Sequence, residues 1–169
     1  MANSGGQGGK RTLIDSFADA FRGIWDCIRS ERNMRIHLSA CCGVLFFAVR
    51  MGLSRGELAC LALTIGMVVS AEAMNTAVEK LCDFTQKHWN PRIRVIKDIA
   101  AGAVLLTALA AVLVGAVLLF RPALWQALCE ICRKPLSLAV FLLVVAADLV
   151  FIFAGPQRIA DWFSGKKKR

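Results

Sequence analysis

Leu13, Ile14, Phe17, Phe21, Ile24, Trp25 and Ile28 recur at spacings of three and four, the signature of one apolar helix face. Asp15, Asp19, Arg22, Asp26 and Arg29 take the opposite face. A soluble helix packed on a partner fits this pattern, but the long apolar blocks that follow favour an amphipathic helix lying in a membrane surface, with Trp25 at headgroup depth. Beyond it the periodicity gives way to continuous apolar runs. Residues 99–120 form an uncharged stretch of 22 residues, enough at roughly 1.5 Å per residue to cross a hydrocarbon core of about 30 Å. Residues 58–78 give a second span of 21 interrupted only by Glu72, and residues 135–157 another of 23 interrupted only by Asp148. Residues 36–49 provide just 14 uncharged positions; Arg35 and Arg50 at their ends are expected to snorkel toward the two interfaces, which makes a span over about 33–53 feasible. Residues 122–134 read as an outer loop carrying Trp125.

The pattern therefore predicts an all-α membrane protein: an N-terminal amphipathic surface helix, a three-helix transmembrane core and a fourth C-terminal transmembrane helix. Three segments follow: a disordered N-terminus (1–11), a core (12–121), and an outer loop, extra span and basic tail (122–169). Composition agrees, since 57% hydrophobic residues and a mean hydropathy of +0.56 are too apolar for a soluble domain of 169 residues. Residues 1–10 are Gly-rich and polar and carry no apolar stretch of the kind that begins a secretory signal.

Charge supplies orientation. With the N-terminus inside, 16 of the 21 basic residues fall on the inner side, and only Arg50, Arg55, Arg121, Arg133 and Lys134 fall outside. The bias predicts a cytoplasmic N-terminus, middle loop and tail. The formal charge of +9 then reflects orientation and lipid attraction, residues 166–169 included. No basic face interleaved with aromatics is present, which argues against a nucleic-acid partner. Cys41, Cys42, Cys60 and Cys82 sit in or beside apolar spans and read as packing residues. Cys129 and Cys132 form a lone C-x-x-C on the outer side, where a disulfide is feasible and zinc would need two more ligands.

An acid inside an apolar helix costs roughly 2.5 to 3.5 kcal/mol at the centre of a span, so each demands a reason. Glu72, Asn75, Glu79 and Asp83 are spaced three, four and four, which places them on a stripe about 80° wide. Lys97 and Asp98 open the following span, and Glu31 sits at the inner edge of the first, so all seven are expected to converge on one interface. Carboxylates there can hold Mg²⁺ by a few oxygens and leave its other positions for ATP phosphates. A spare carboxylate can take the proton of an attacking hydroxyl. Singly, each acid is better read as a partner of Lys80, Arg92, Arg94 or Lys97; as a set, they favour catalysis. No glycine-rich Walker loop is present. His37, at the start of a span, reads as a hydrogen-bonded interface residue, and Asp148 as a buried polar contact.

The blocks Glu72-Ala-Met-Asn75-Thr-Ala-Val-Glu79-Lys-Leu-Cys-Asp83 and Lys97-Asp98-Ile-Ala-Ala-Gly-Ala-Val-Leu105 resemble those of the prokaryotic diacylglycerol kinase and undecaprenol kinase family, as do residues 16–23 and Glu31-Arg-Asn33-Met-Arg35-Ile-His37. The likeness covers roughly residues 12–121. It implies a homotrimer of three-span subunits, with a surface helix and a cytoplasmic-side active site that transfers phosphate from ATP directly to a lipid alcohol. By motif position Glu72 resembles the catalytic base, Glu31 and Glu79 the metal ligands, and Lys97, Asp98 and Asp83 nucleotide contacts alongside those two acids; Asn75 is a supporting polar residue. The segment from Glu31 to His37 is more similar to the undecaprenol kinases, which favours undecaprenol as substrate over diacylglycerol. Asp19 replaces an aromatic of some relatives, and the basic residue expected near Thr12 is displaced to Arg11, so no nucleotide contact is assigned to the surface helix. Residues 122–169 exceed the three-span unit, and a chain ending near Arg121 is expected to assemble and phosphorylate lipid. The rival classes are a transporter, which commonly shows repeats and broken midplane helices not visible here, and a membrane scaffold without activity.

Overall fold

The computed structural model describes residues 12–86 and 88–163. Residues 1–11, whose disorder the sequence predicts, and the basic end at 166–169 lie outside the described residues. Within them the chain forms six helices and no strand. Helix α1 (Leu13–Ser30) begins at a capping box, in which the Thr12 side chain accepts from the Asp15 N–H while the Asp15 carboxylate accepts from the Thr12 N–H at 2.9 Å and from its hydroxyl at 2.7 Å. Leu13, Ile14, Phe17, Phe21, Ile24 and Trp25 are exposed and Ile28 is half-buried, so most of the apolar face of α1 is left uncovered by the other described residues, as an interfacial helix requires.

Those hydrogen bonds hold the Asp15 carboxyl below the usual carboxylate range. A folded value below the unfolded one gives a contribution that is complete above about pH 4 and lost as pH falls through the folded value. Amide protection at the start of α1, corrected for intrinsic exchange, is therefore expected to fall as pH drops below about 4. Asp15→Asn should flatten that dependence; an equally steep loss in the variant would show that another group controls the cap.

Helix α2 (Arg32–Arg50) ends at Met51, and Gly52 at φ 66° makes the left-handed turn that lets the Leu53 N–H reach the Ala48 carbonyl at 3.2 Å. Leu53 then packs with Ala48, Leu61 and Leu118 in the core cluster at this end of the bundle. A second capping box, Ser54 with Glu57, starts α3 (Arg55–Thr85). Asn90 caps α4 (Pro91–Leu119), with Pro91 in the first turn where a missing N–H costs nothing. Cap and proline start α4 about two turns ahead of its apolar run. Helices α3 and α4 form the most extensive pair, closed at its far end by an Arg121–Glu57 ion pair.

Residues 122–134 are not the loop that their polar ends suggest. They form α5 (Pro122–Arg133), again with Pro in the first turn. Ala127 and Ile131 are buried and Leu124 and Leu128 half-buried, one face at helical spacing. Helix α6 (Pro135–Phe163) is broken at Gly155, whose φ 72° and ψ 161° lie in a region essentially reserved for glycine. Helices α3, α4 and α6 are long and apolar enough to cross a membrane. Helix α2 falls short of that measure, as its 14 uncharged residues imply. Arg35 departs from the snorkelling expected of it and turns inward, only 7% exposed. Asp148 accepts a 3.4 Å hydrogen bond from the Ser39 hydroxyl, a polar partner of the kind a charge in a span requires.

Candidate active site

Helix α3 is 31 residues long, about 46 Å at the usual rise, and so outruns a hydrocarbon core of about 30 Å. From Arg55 to Glu72 the rise is about 26 Å, which sets the acidic stripe at the far edge of the apolar layer. Burial falls along the stripe: Glu72 is 1% exposed and Asn75 8%, Glu79 is half-buried and Asp83 exposed. Asn75 Nδ2 donates to Glu79 Oε1 at 3.1 Å. Glu72 Oε2 and Asn75 Oδ1 are buried with no hydrogen-bond partner among the described residues. Buried acceptors are normally satisfied, and each one left over calls for an explanation.

Glu31 reaches this neighbourhood from the opposite side. It is the extended residue (φ −103°, ψ 123°) that ends α1 and starts α2, its N–H bonded to the Cys27 carbonyl at 2.8 Å. The charges of Glu31 and Glu79 both fall within Coulombic range of Glu72. A buried pair of hydroxyl and thiol fastens the end of α1 to α3 at this level: Cys27 Sγ donates to Thr76 Oγ1 at 3.2 Å, and Thr76 Oγ1 donates to the Glu72 carbonyl at 3.0 Å. Neither Cys27 nor Thr76 stands out in the sequence, because a Thr bonding back to its own helix looks like any other polar residue.

The remaining predicted residues form an adjoining group. Lys97 Nζ donates to Asp83 Oδ1 at 2.5 Å. Asp98 pairs at 3.7 Å with Arg94, a cation one turn earlier on the same helix, and both are largely exposed. Together with His88 and Trp89 these four line an open cavity of about 470 Å³ between the end of α3 and the start of α4. Glu79 lies within Coulombic range of Lys97 and so links the two groups. On the bilayer side, an apolar cavity of about 400 Å³ lies between α2, α3 and α4, bordered by His37, Cys41, Ile65, Val68 and Ala111. Val68 is one helical turn from Glu72. Among the described residues no three His, Cys, Asp or Glu side chains form a ready metal cage.

A sequence model of the prokaryotic diacylglycerol kinase family matches residues 18–119. The chain belongs to that family. It is therefore a membrane lipid kinase, with ATP as phosphate donor. Among known proteins the chain is 42% identical over 113 residues to an undecaprenol kinase of Bacillus subtilis, an alignment covering 66% of this chain and 90% of that one. It is 40% identical over 113 residues to a diacylglycerol kinase of Synechocystis sp., covering 66% of this chain and 65% of the relative. No solved structure matches the chain. The matched region takes in the acidic stripe, Lys97 and Asp98, and stops before α5 and α6 of this kinase.

Proposed function

We propose that this kinase phosphorylates undecaprenol, with Glu72 as the base. The observation that carries the assignment is Glu72 Oε2, a buried acceptor without a donor one turn from an apolar cavity. A lipid whose chain occupies that cavity presents a hydroxyl where such an acceptor needs one. The hydroxyl oxygen attacks the γ-phosphorus and the bond from that phosphorus to the β,γ-bridging oxygen breaks. Glu72 takes the hydroxyl proton and ADP leaves. Lys97 and Arg94 line the α3–α4 cavity, each held by an acid there, Asp83 for Lys97 and Asp98 for Arg94, and are the cations that can turn to nucleotide phosphates, with Asp83 and Asp98 completing the nucleotide side.

Glu31 and Glu79 fit Mg²⁺. Glu79 holds the Asn75 amide, whose Oδ1 is unsatisfied, and Glu31 comes within Coulombic range of the same stripe at Glu72; carboxylate and amide oxygens are hard donors of the kind Mg²⁺ takes from protein when phosphates fill its other positions. When bound, the ion neutralises charge developing on the phosphate oxygens. The unit that reacts is residues 12–121, with residues 122–169 as an addition. Assembly as a homotrimer belongs to the same reading; the exposed small residues Ala59, Ala62, Gly66 and Ser70 on α3 suit close approach of a second helix.

The decisive experiment gives the purified protein in lipid radiolabelled ATP and a panel of alcohols. Label is expected in undecaprenol in preference to diacylglycerol. The reverse preference would reassign the substrate, and label in no lipid from folded protein would sink the reading. Orientation has its own test. Cys129 and Cys132 are exposed on α5, so with the α3–α4 cavity cytoplasmic an impermeant thiol reagent should label both in intact, reduced cells. Protection until lysis would invert the topology.

A further inference from the structure

Arg35 stands one turn after Glu31, and among the described residues its guanidinium donates only to main-chain carbonyls. Nη1 donates to Ile28 at 2.9 Å and Arg29 at 3.2 Å, and Nε donates to Ile152 at 3.1 Å. The first two are among the carbonyls that any helix leaves unbonded at its C-terminus, here that of α1. The third is made available by sequence: in an unbroken helix the N–H four residues on would bond to Ile152, but that residue is Pro156, which has none. Gly155 completes the arrangement, because a Cβ there would stand 3.3 Å from Arg35 Cζ as well as straining a backbone at φ 72°. On the other flank of Glu31, the Gln157 amide oxygen, turned toward Arg29, accepts from its Nη2 at 2.7 Å and its Nε at 3.1 Å. No carboxylate is needed to hold Arg35, since the negative ends of two helix segments face it.

We propose that the C-terminal helix is a brace on the reaction. The break at Gly155-Pro156 hands the Ile152 carbonyl to Arg35, and Arg35 is a positioning residue that fixes the corner between α1 and α2, and with it Glu31 against Glu72. The role in catalysis rests on the assignment of Glu31 made above; the brace itself does not.

The test uses the full chain in nanodiscs. In Gly155→Ala/Pro156→Ala, α6 can run on and return the Ile152 carbonyl to its own ladder. Arg35→Lys keeps the charge but loses the fork that spans three carbonyls. Hydrogen exchange over residues 28–35 is followed in each, with lipid phosphorylation across a Mg²⁺ titration. Both variants are expected to exchange faster over 28–35 and to need roughly tenfold more Mg²⁺ for half-maximal rate, the usual scale for loss of a group that orients a metal ligand; kcat at saturating Mg²⁺ should be largely kept. Unchanged exchange in both variants would overturn the brace. Faster exchange with an unchanged Mg²⁺ requirement would reduce it to a structural contact and overturn its role in the reaction. A wild-type protein that phosphorylates no lipid would defeat the site assignment instead, and the exchange arm would still decide the brace.

Discussion

Glu72→Gln is expected to bind nucleotide and Mg²⁺ as the parent does and to transfer phosphate roughly 10²- to 10⁴-fold more slowly, the range a positioned base contributes. The substitution is close to isosteric, so the fully buried pocket that keeps Glu72 at 1% exposure need not repack. What it removes is the carboxylate acceptor, since an amide oxygen hydrogen-bonds to a hydroxyl but does not take its proton. The buried Thr76 hydroxyl bonds to the Glu72 main chain rather than its side chain, so the tie between α1 and α3 survives. Single-turnover transfer and ATP binding, measured on the same folded preparation, separate the two effects. Near-normal transfer in the variant would take the base assignment away from Glu72 and leave its unpaired oxygen without an explanation.

The acidic stripe is legible in the sequence because its logic is local. Spacings of three and four in a long apolar helix fix a common face whatever the helix packs against, and the Asn75–Glu79 bond is of that kind. What needs partners distant in sequence is not legible in the same way. Arg35 reads as an anchor reaching for the interface, because the Ile28 and Arg29 carbonyls become its acceptors only once α1 ends and the chain turns back at Glu31; its third acceptor comes from Ile152, 117 positions away, and is free for it only because Pro156 follows Ile152 by four. The Gly-Pro pair is visible as a break, yet a break near the end of an apolar run looks like the end of a span. Helix α5 is hidden for a different reason. Its buried face is four small or medium residues among Trp125, Cys129 and Cys132, and with prolines flanking it at 122 and 135 the segment resembles a connection. The spacing of Leu124, Ala127, Leu128 and Ile131 is the signal that identifies it. Asp98 shows the limit of the expectation that all seven polar residues converge: it opens α4 beside Lys97, but its own partner is Arg94 on an exposed surface, where an ion pair contributes about 0 to 1 kcal/mol.

Glu79→Gln should fail in a different way from Glu72→Gln, although the two residues lie seven apart and face one side of α3. Glu79 is half-buried, holds the Asn75 amide, and lies within Coulombic range of both Glu72 and Lys97. Removing its charge leaves Asn75 a partner, because a glutamine oxygen accepts from Nδ2 as a carboxylate does. It also relieves like-charge repulsion at Glu72, so the local fold has no reason to loosen. The effect is thus confined to what the charge binds. If Glu79 and Glu31 hold Mg²⁺ for the phosphates, the variant loses one of two charged ligands. Its half-saturating Mg²⁺ should then rise by about 10- to 100-fold, the scale on which metal sites respond to a lost partner, and metal-dependent ATP binding should weaken in step. Raising Mg²⁺ should restore much of the transfer rate, a recovery that Glu72→Gln is not expected to show at any Mg²⁺ concentration. A Glu79→Gln enzyme that is slow yet has an unshifted Mg²⁺ titration would remove Glu79 from the metal site. Its position between Asn75 and Lys97 would then mark it as an organiser of the nucleotide side.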